Sequence, residues 1–285
     1  LCRYFIGSWQ RGGWRFVKID QYLPVFSIMA VIPLAAACAG LVAACLWSIA
    51  GSWFFPSALP QNFHLIHWQD MTSYVPLLKN SFLLAGGASF AALLAVLAWS
   101  YAVPFSNFTN RWLLGCIFMP FFIPQISFLL GMQISLSRVG LDGTWLALMW
   151  VHMIFILPYT WLIVIPARRA LDHRLDRVAA TLGASGWKRF ITLHMPLMAY
   201  PLATALFIGI AVSMALYLPT VFVGAGRINT ITVEAVSLAS SGSRGPAGLA
   251  AMLQIAIPVI SFAIIHWGLR CRFGRFSGMQ SGRLQ

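Results

Sequence analysis

Few residues in this sequence carry the chemistry of an active centre, and their spacing assembles none. His64 and His67 stand three positions apart, which on a helix would put two imidazoles on one face for a metal. No third ligand lies nearby, so a surface histidine pair is the better reading. Cys2, Cys38, Cys45, Cys116 and Cys271 show neither CxxC nor Cys/His metal spacing. Cys38 and Cys45, two helical turns apart in an apolar run, read as small packing residues. The pattern GxxxxGK followed by Ser or Thr, which cradles nucleotide phosphates, does not occur. His152 sits in an apolar run, where an ionisable side chain could relay protons. With no acidic partner in any apolar block, a hydrogen-bonded packing or pore-lining role is its stronger reading. Glu234 is the only glutamate, inside TITVEAVSLA, and a partly buried ion pair with Arg227 or Arg244 is its structural reading. No catalytic set, metal site or cofactor is expected.

Composition names the elements that must hold these groups. Hydrophobic residues make up 60% of the chain and charged ones 9%, with a mean hydropathy of +0.80, far from a soluble domain. A net charge of +13 could serve nucleic acid. The basic residues edge long apolar blocks, however, which marks membrane topology and argues against a nucleic-acid partner. Six blocks are long enough to cross a bilayer. They run from about Pro24 to Ala50, Leu77 to Val103, Trp112 to Leu136, Thr144 to Pro166, Leu197 to Val223 and Leu249 to Leu269. The fold expected is therefore all-α, a polytopic membrane protein with about six transmembrane helices in the lipid bilayer. The arm Leu1 to Gln21 carries Arg3, Arg11, Arg15 and Lys18 among Trp9 and Trp14, an interface-hugging pattern. The block after it is too long for a signal-peptide core and reads as an uncleaved span. Pro120 and Pro124 predict a kinked or locally unwound third span. Gly51 to Pro76 and Gly224 to Gly248 read as external loops. With both ends inside, fifteen basic residues fall inside, leaving Lys79, Arg138, Arg227 and Arg244 outside, as the positive-inside rule requires.

The longest polar interruption separates the fourth and fifth blocks. It gathers Arg168, Arg169, Arg174, Arg177, Lys188 and Arg189 around Asp172 and Asp176. Val178 to Leu182 favours a short helix and Gly183 a tight turn. A second helical run is expected from Ala184 through Leu193, with Pro196 in the first turn of the next helix.

Arg177 to Pro196 resembles the cytoplasmic EAA loop of ATP-binding-cassette import permeases, E-A-A-x3-G-x9-I-x-L-P. Arg177, Val178 and Ala179 fall on EAA, Gly183 on the glycine, Leu193 on the isoleucine, Met195 on the leucine and Pro196 on the proline. The glycine-to-proline spacing fits without a gap, which an ordinary basic loop would not predict. Two positions depart: Arg177 replaces the glutamate, although Asp176 precedes it, and Val178 replaces the first alanine. The resemblance covers about Tyr74 to Arg270 and implies a type I importer permease domain over 74–270. The arm, first span and external loop (1–73) would precede it, and a basic cytoplasmic tail (271–285) would follow. The stretch from Tyr217, YLPTVFVGAGR, looks most like the iron(III), thiamine and polyamine branch. In that branch two halves can be fused, and the non-Met start makes a second half of a fused chain the preferred expectation.

The resemblance implies a mechanism and partners. The two helices around Gly183 would dock on a cytoplasmic ABC ATPase dimer, with Ala179, Ala180 and Ala184 allowing close approach. Arg177, Lys188 and Arg189 would pair with acidic groups of that ATPase, which hydrolyses the ATP. A second permease half completes the pathway, and a periplasmic or extracellular solute-binding protein delivers the solute, with contact to solute or binding protein the functional reading of Glu234. The setting implied is a bacterial inner membrane, with both termini cytoplasmic. The alternative is a secondary transporter or channel without an ATPase, which usually carries ionisable sites at mid-membrane. Only His152 is placed for that. A membrane-embedded enzyme would need a converging nucleophile, acid and base, and none is visible.

Overall fold

The computed structural model describes residues 19–51, 60, 62–103 and 111–273. The basic arm, the 104–110 link and most of the basic tail, on which several of the charge expectations fall, lie outside the described residues. Helix α1 is Ile19–Ile49, α2 Met71–Ala102, α3 Arg111–Phe122, α4 Gln125–Arg138 and α5 Trp145–Arg169. They are followed by α6 (His173–Thr181), α7 (Gly186–Leu197), α8 (Ala199–Ala215), α9 (Tyr217–Gly224), α10 (Ile231–Ser240) and α11 (Arg244–Phe273). Among the described residues no sheet forms, and a single bridge pairs Ala50 with Phe63. Four helices are long and apolar enough to cross a membrane, and six spans result if each of two bent pairs counts as one.

Prolines decide where the predicted spans break. The third is more than kinked: α3 and α4 meet at 109° across a short break. Ile123 precedes Pro124, whose ring disfavours helical backbone at the residue before it, and Pro124 itself is extended at ψ 124°. The fifth predicted span is likewise not one helix. Pro201 has no N–H for the Leu197 carbonyl, and the chain bends by 72° between α7 and α8. Pro219 likewise cannot serve the Ala215 carbonyl, and the helix stops at Ala215 and restarts at Tyr217. Second, fourth and sixth spans appear as expected but longer. α2 begins at Met71, so the end of the Gly51–Pro76 loop is helical.

The core is built around α2, α5 and α8, which pack on one another, while α11 packs on α8 and α10 and carries α1 on its far side. Toward one end of α2, Leu93, Val96 and Leu97 meet Trp161, Val164 and Ile165 of α5 and Leu202 of α8. Toward the other, Leu84 meets Leu148, Val151 and Phe155 of α5, Leu129 of α4 and Val223 of α9. Between them Ala88, Ser89 and Ala92 present almost no side chain, which lets helix backbones approach. Gly209 of α8 enters this stripe. A Cβ there would lie 2.8 Å from the Ser89 hydroxyl oxygen and 3.1 Å from Ile156 Cγ2.

The 224–248 segment departs from expectation. It is not a plain external loop, because α10 buries Ile231, Thr232 and Ala235 against α11 and α2. The Thr230 hydroxyl caps its start by accepting from Val233 N at 3.4 Å, and Ile231 N donates to Ser81 Oγ at 2.8 Å.

Gly209→Val should lower thermal stability in detergent by roughly 1–3 kcal/mol, because three helix backbones would have to separate. Gly86→Ala, where an added Cβ meets nothing within 4 Å, should be neutral or slightly stabilising in the same melting assay.

Candidate functional site

The segment that fits the EAA spacing is two short helices tied to one end of the bundle. Asp172 starts α6 by accepting from Arg174 N at 2.9 Å. The helix closes through Gly183, whose φ of +80° suits glycine. Gly183 N donates to Ala180 O at 3.0 Å and Ala184 N to Ala179 O at 3.1 Å, the paired bonds of a Schellman cap. Ser185 then starts α7 by accepting from Lys188 N at 3.3 Å, so the second helix begins at Gly186 rather than Ala184. It widens to a π-turn over Phe190–His194 just before Pro196, which has no N–H to offer the Thr192 carbonyl. Pro196 therefore stands in the first turn of the short α-helical stretch Met195–Leu197 that follows the π-turn and closes α7.

A polar and aromatic latch holds α6 and α7 to the ends of α2 and α5. Asp176 accepts from Arg189 Nη1 at 3.0 Å and from His194 Nε2 at 3.1 Å. With Nε2 donating, His194 Nδ1 is the acceptor for the Tyr101 hydroxyl, 2.9 Å away. The Arg168 guanidinium lies 3.7 Å from the Tyr101 ring centroid and donates to the Ser100 carbonyl. Phe190 meets Tyr101 edge-on at 5.0 Å and stacks with Trp187 at 5.5 Å.

The latch redistributes the roles expected from sequence. Arg189, expected to face an ATPase, is committed to Asp176 within the chain. Arg177, Val178 and Lys188 stay exposed, whereas Ala179, Ala184, Leu193 and Pro196 are half-buried. Leu182 and Trp187 project furthest, at 81% and 70% exposure. Sequence reading missed Tyr101 and His194. An aromatic at the end of one span and a histidine 93 residues later carry no local pattern that pairs them.

His152 and Glu234 lie elsewhere. His152 is 1% exposed, and both ring nitrogens are used. Thr220 Oγ1 donates to the Leu216 carbonyl at 2.8 Å, so it accepts from His152 Nε2 at 3.2 Å. Nδ1 then accepts from Ser213 Oγ at 2.8 Å. Ser213 and Thr220 flank the Leu216 break, so the imidazole bridges α8 and α9. Its burial and its two hydroxyl partners suit hydrogen-bonded packing between α5, α8 and α9. The Met214 carbonyl beside the break accepts from Thr232 Oγ1 and Gln254 Nε2, each at 2.9 Å. Glu234 forms no ion pair with Arg227 or Arg244 among the described residues. Arg227 lies over Gly143 instead, and Glu234 is a half-buried carboxylate in the first turn of α10, where the helix dipole favours it. No three metal-ligating side chains converge among the described residues.

Asp176→Asn should loosen the latch without unfolding the bundle. Hydrogen exchange of the 173–182 amides should rise about fivefold while the global melting midpoint barely moves, as for a partly exposed ion pair. His152→Leu should cost about 1–3 kcal/mol in a melting assay, because the buried Ser213 hydroxyl loses its acceptor and Thr220 Oγ1 loses a donor while keeping its bond to the Leu216 carbonyl. It should leave the pH profile of transport unchanged, whereas loss of a proton relay would shift that profile.

Residues 87–270 match the family described as binding-protein-dependent transport system inner membrane component. The permease protein YnjC of Escherichia coli (strain K12), named an inner membrane ABC transporter permease, is 37% identical over 187 residues. That alignment takes in 66% of this chain and 35% of YnjC, so the chain spans about a third of that relative. PhnV of Salmonella paratyphi A, named a putative 2-aminoethylphosphonate transport system permease, is 25% identical over 80% of this chain and 92% of its own. Among solved structures, a bacterial alginate ABC transporter in complex with an alginate pentasaccharide-bound periplasmic protein shares the fold. Its TM-score is 0.58 at 15% identity, covering 90% of this chain and 96% of the other. The chain belongs to the binding-protein-dependent inner membrane components, the permeases of ABC importers.

Proposed function

We propose that this chain forms half of a solute pathway in an ABC importer and takes its drive from an ATPase dimer seated against α6 and α7. The observation that carries the reading is the Leu182–Trp187 projection, apolar and exposed, within the segment that fits the glycine-to-proline spacing of the EAA loop. Two large apolar side chains held out by capped helices make a docking knob of the kind that fills a protein groove. The chain has no phosphate-cradling loop of its own, so hydrolysis belongs to the partner.

The charge distribution supports placing this loop and both termini on the cytoplasmic side. A second permease half faces this one, and a solute-binding protein meets the opposite end, where α10 packs beside Ser81 at the far end of α2 from Tyr101. Glu234, half-buried on α10, is the candidate contact for solute or binding protein there. Closure of the ATPase dimer moves α6 and α7, and the latch to Tyr101 and Arg168 passes that motion to α2 and α5. The permease domain in this reading is 74–270.

Gly183→Val tests the docking. A β-branched residue at φ +80° is strained by about 1–2 kcal/mol or more and unseats the Schellman cap. In a pull-down from detergent, wild type should retain an ATPase subunit and the variant should lose most of it, with the bundle still folded by circular dichroism. A folded wild type that retains no nucleotide-binding subunit would sink the proposal.

A further inference from the structure

The charges of the docking segment are sorted by the fold. Its two carboxylates turn to internal work: Asp172 caps α6, and Asp176 takes both Arg189 and His194. What remains exposed is cationic: Arg174, Arg177 and Lys188. Arg174 and Arg177 lie three apart along one edge of α6. Beside them Leu175, Val178 and Leu182 form a stripe at helical spacing, and each is at least 47% exposed. An apolar stripe edged by cations, with no exposed carboxylate in 172–189, is one half of a complementary surface.

Resting on the coupling reading above, we propose that the ATPase groove receiving this loop is apolar at its floor and lined with carboxylates at its rim. Arg177, at the position the motif gives to glutamate, would set this polarity. A lipid surface is the rival occupant, since a cationic amphipathic helix also suits anionic headgroups. The tip favours a protein groove. Between Leu182 and Trp187, the two exposed apolar side chains, stand Gly183, Ala184, Ser185 and Gly186, small residues that bring backbone close to a partner. Arg189 is excluded from the rim because Asp176 already holds it.

The test uses the chain in nanodiscs together with the ATPase subunit that co-purifies with wild type. Retention is measured from about 50 mM to about 500 mM KCl, a range over which screening of exposed charges changes strongly. Wild-type retention should fall with salt. The Arg177→Glu, Lys188→Glu pair should retain about tenfold less at low salt, and the Arg177→Gln, Lys188→Gln pair should fall in between with a flatter salt dependence. Replacing rim carboxylates of the ATPase by lysine should restore binding of the charge-reversed chain. Salt-independent retention by wild type, or undiminished retention by the charge-reversed pair, would overturn the acidic rim while leaving the docking reading intact. A loss seen only in discs containing phosphatidylglycerol, and not in phosphatidylcholine discs, would assign the cations to headgroups and overturn it too. Failure of Gly183→Val to lower retention strikes the docking reading alone, so the two failures are distinguishable.

Discussion

In a bilayer a backbone carbonyl released by a broken helix has no water to turn to, and that constraint organises this fold. Pro219 removes the N–H that would have served Ala215, and the chain restarts as α9. The rupture survives because side chains from three other helices close on it. Thr232 and Gln254 take the Met214 carbonyl, and His152 spans from Ser213 to Thr220. The buried histidine thus accompanies the break between α8 and α9. Its hydrogen bonds hold a fixed angle between α8 and α9 where a continuous helix would run straight.

The other end of the bundle solves a different problem. Two short helices, too brief to be stable alone, must keep one orientation while projecting from the spans. Capping by Asp172, Gly183 and Ser185 defines where each starts or stops. The Asp176, His194, Tyr101 and Arg168 chain then fastens them to α2 and α5. A partly exposed ion pair such as Asp176–Arg189 stabilises weakly. Its value is directional, because it joins charge-bearing α6 to α7 and, through His194, to the spans.

Between these ends, α2 is the shared member. It carries Ser81 and Asn80 beside α10, the small-residue stripe that admits Gly209, and Ser100 and Tyr101 in the latch. One helix, packed closely along its length, therefore joins the Tyr101 end of the bundle to the α10 end.

Much of this was legible from residue order, because its causes are local. Long apolar blocks name membrane helices, and a glycine-to-proline spacing names a capped pair of short helices. Proline positions also foretold trouble in the third span. The fifth span was read as continuous, although Pro201 and Pro219 were there to see, because hydropathy does not register a lost hydrogen bond. Opposite charge alone suggests pairing Glu234 with Arg227 or Arg244, yet Arg227 lies over Gly143. The pairing of Tyr101 with His194, the bridge from His152 to Ser213 and Thr220, and the capture of Arg189 by Asp176 belong to tertiary structure alone. Each joins positions distant in sequence or on separate helices, and only the packing of α2, α5 and α8 brings those helix ends to hydrogen-bonding distance.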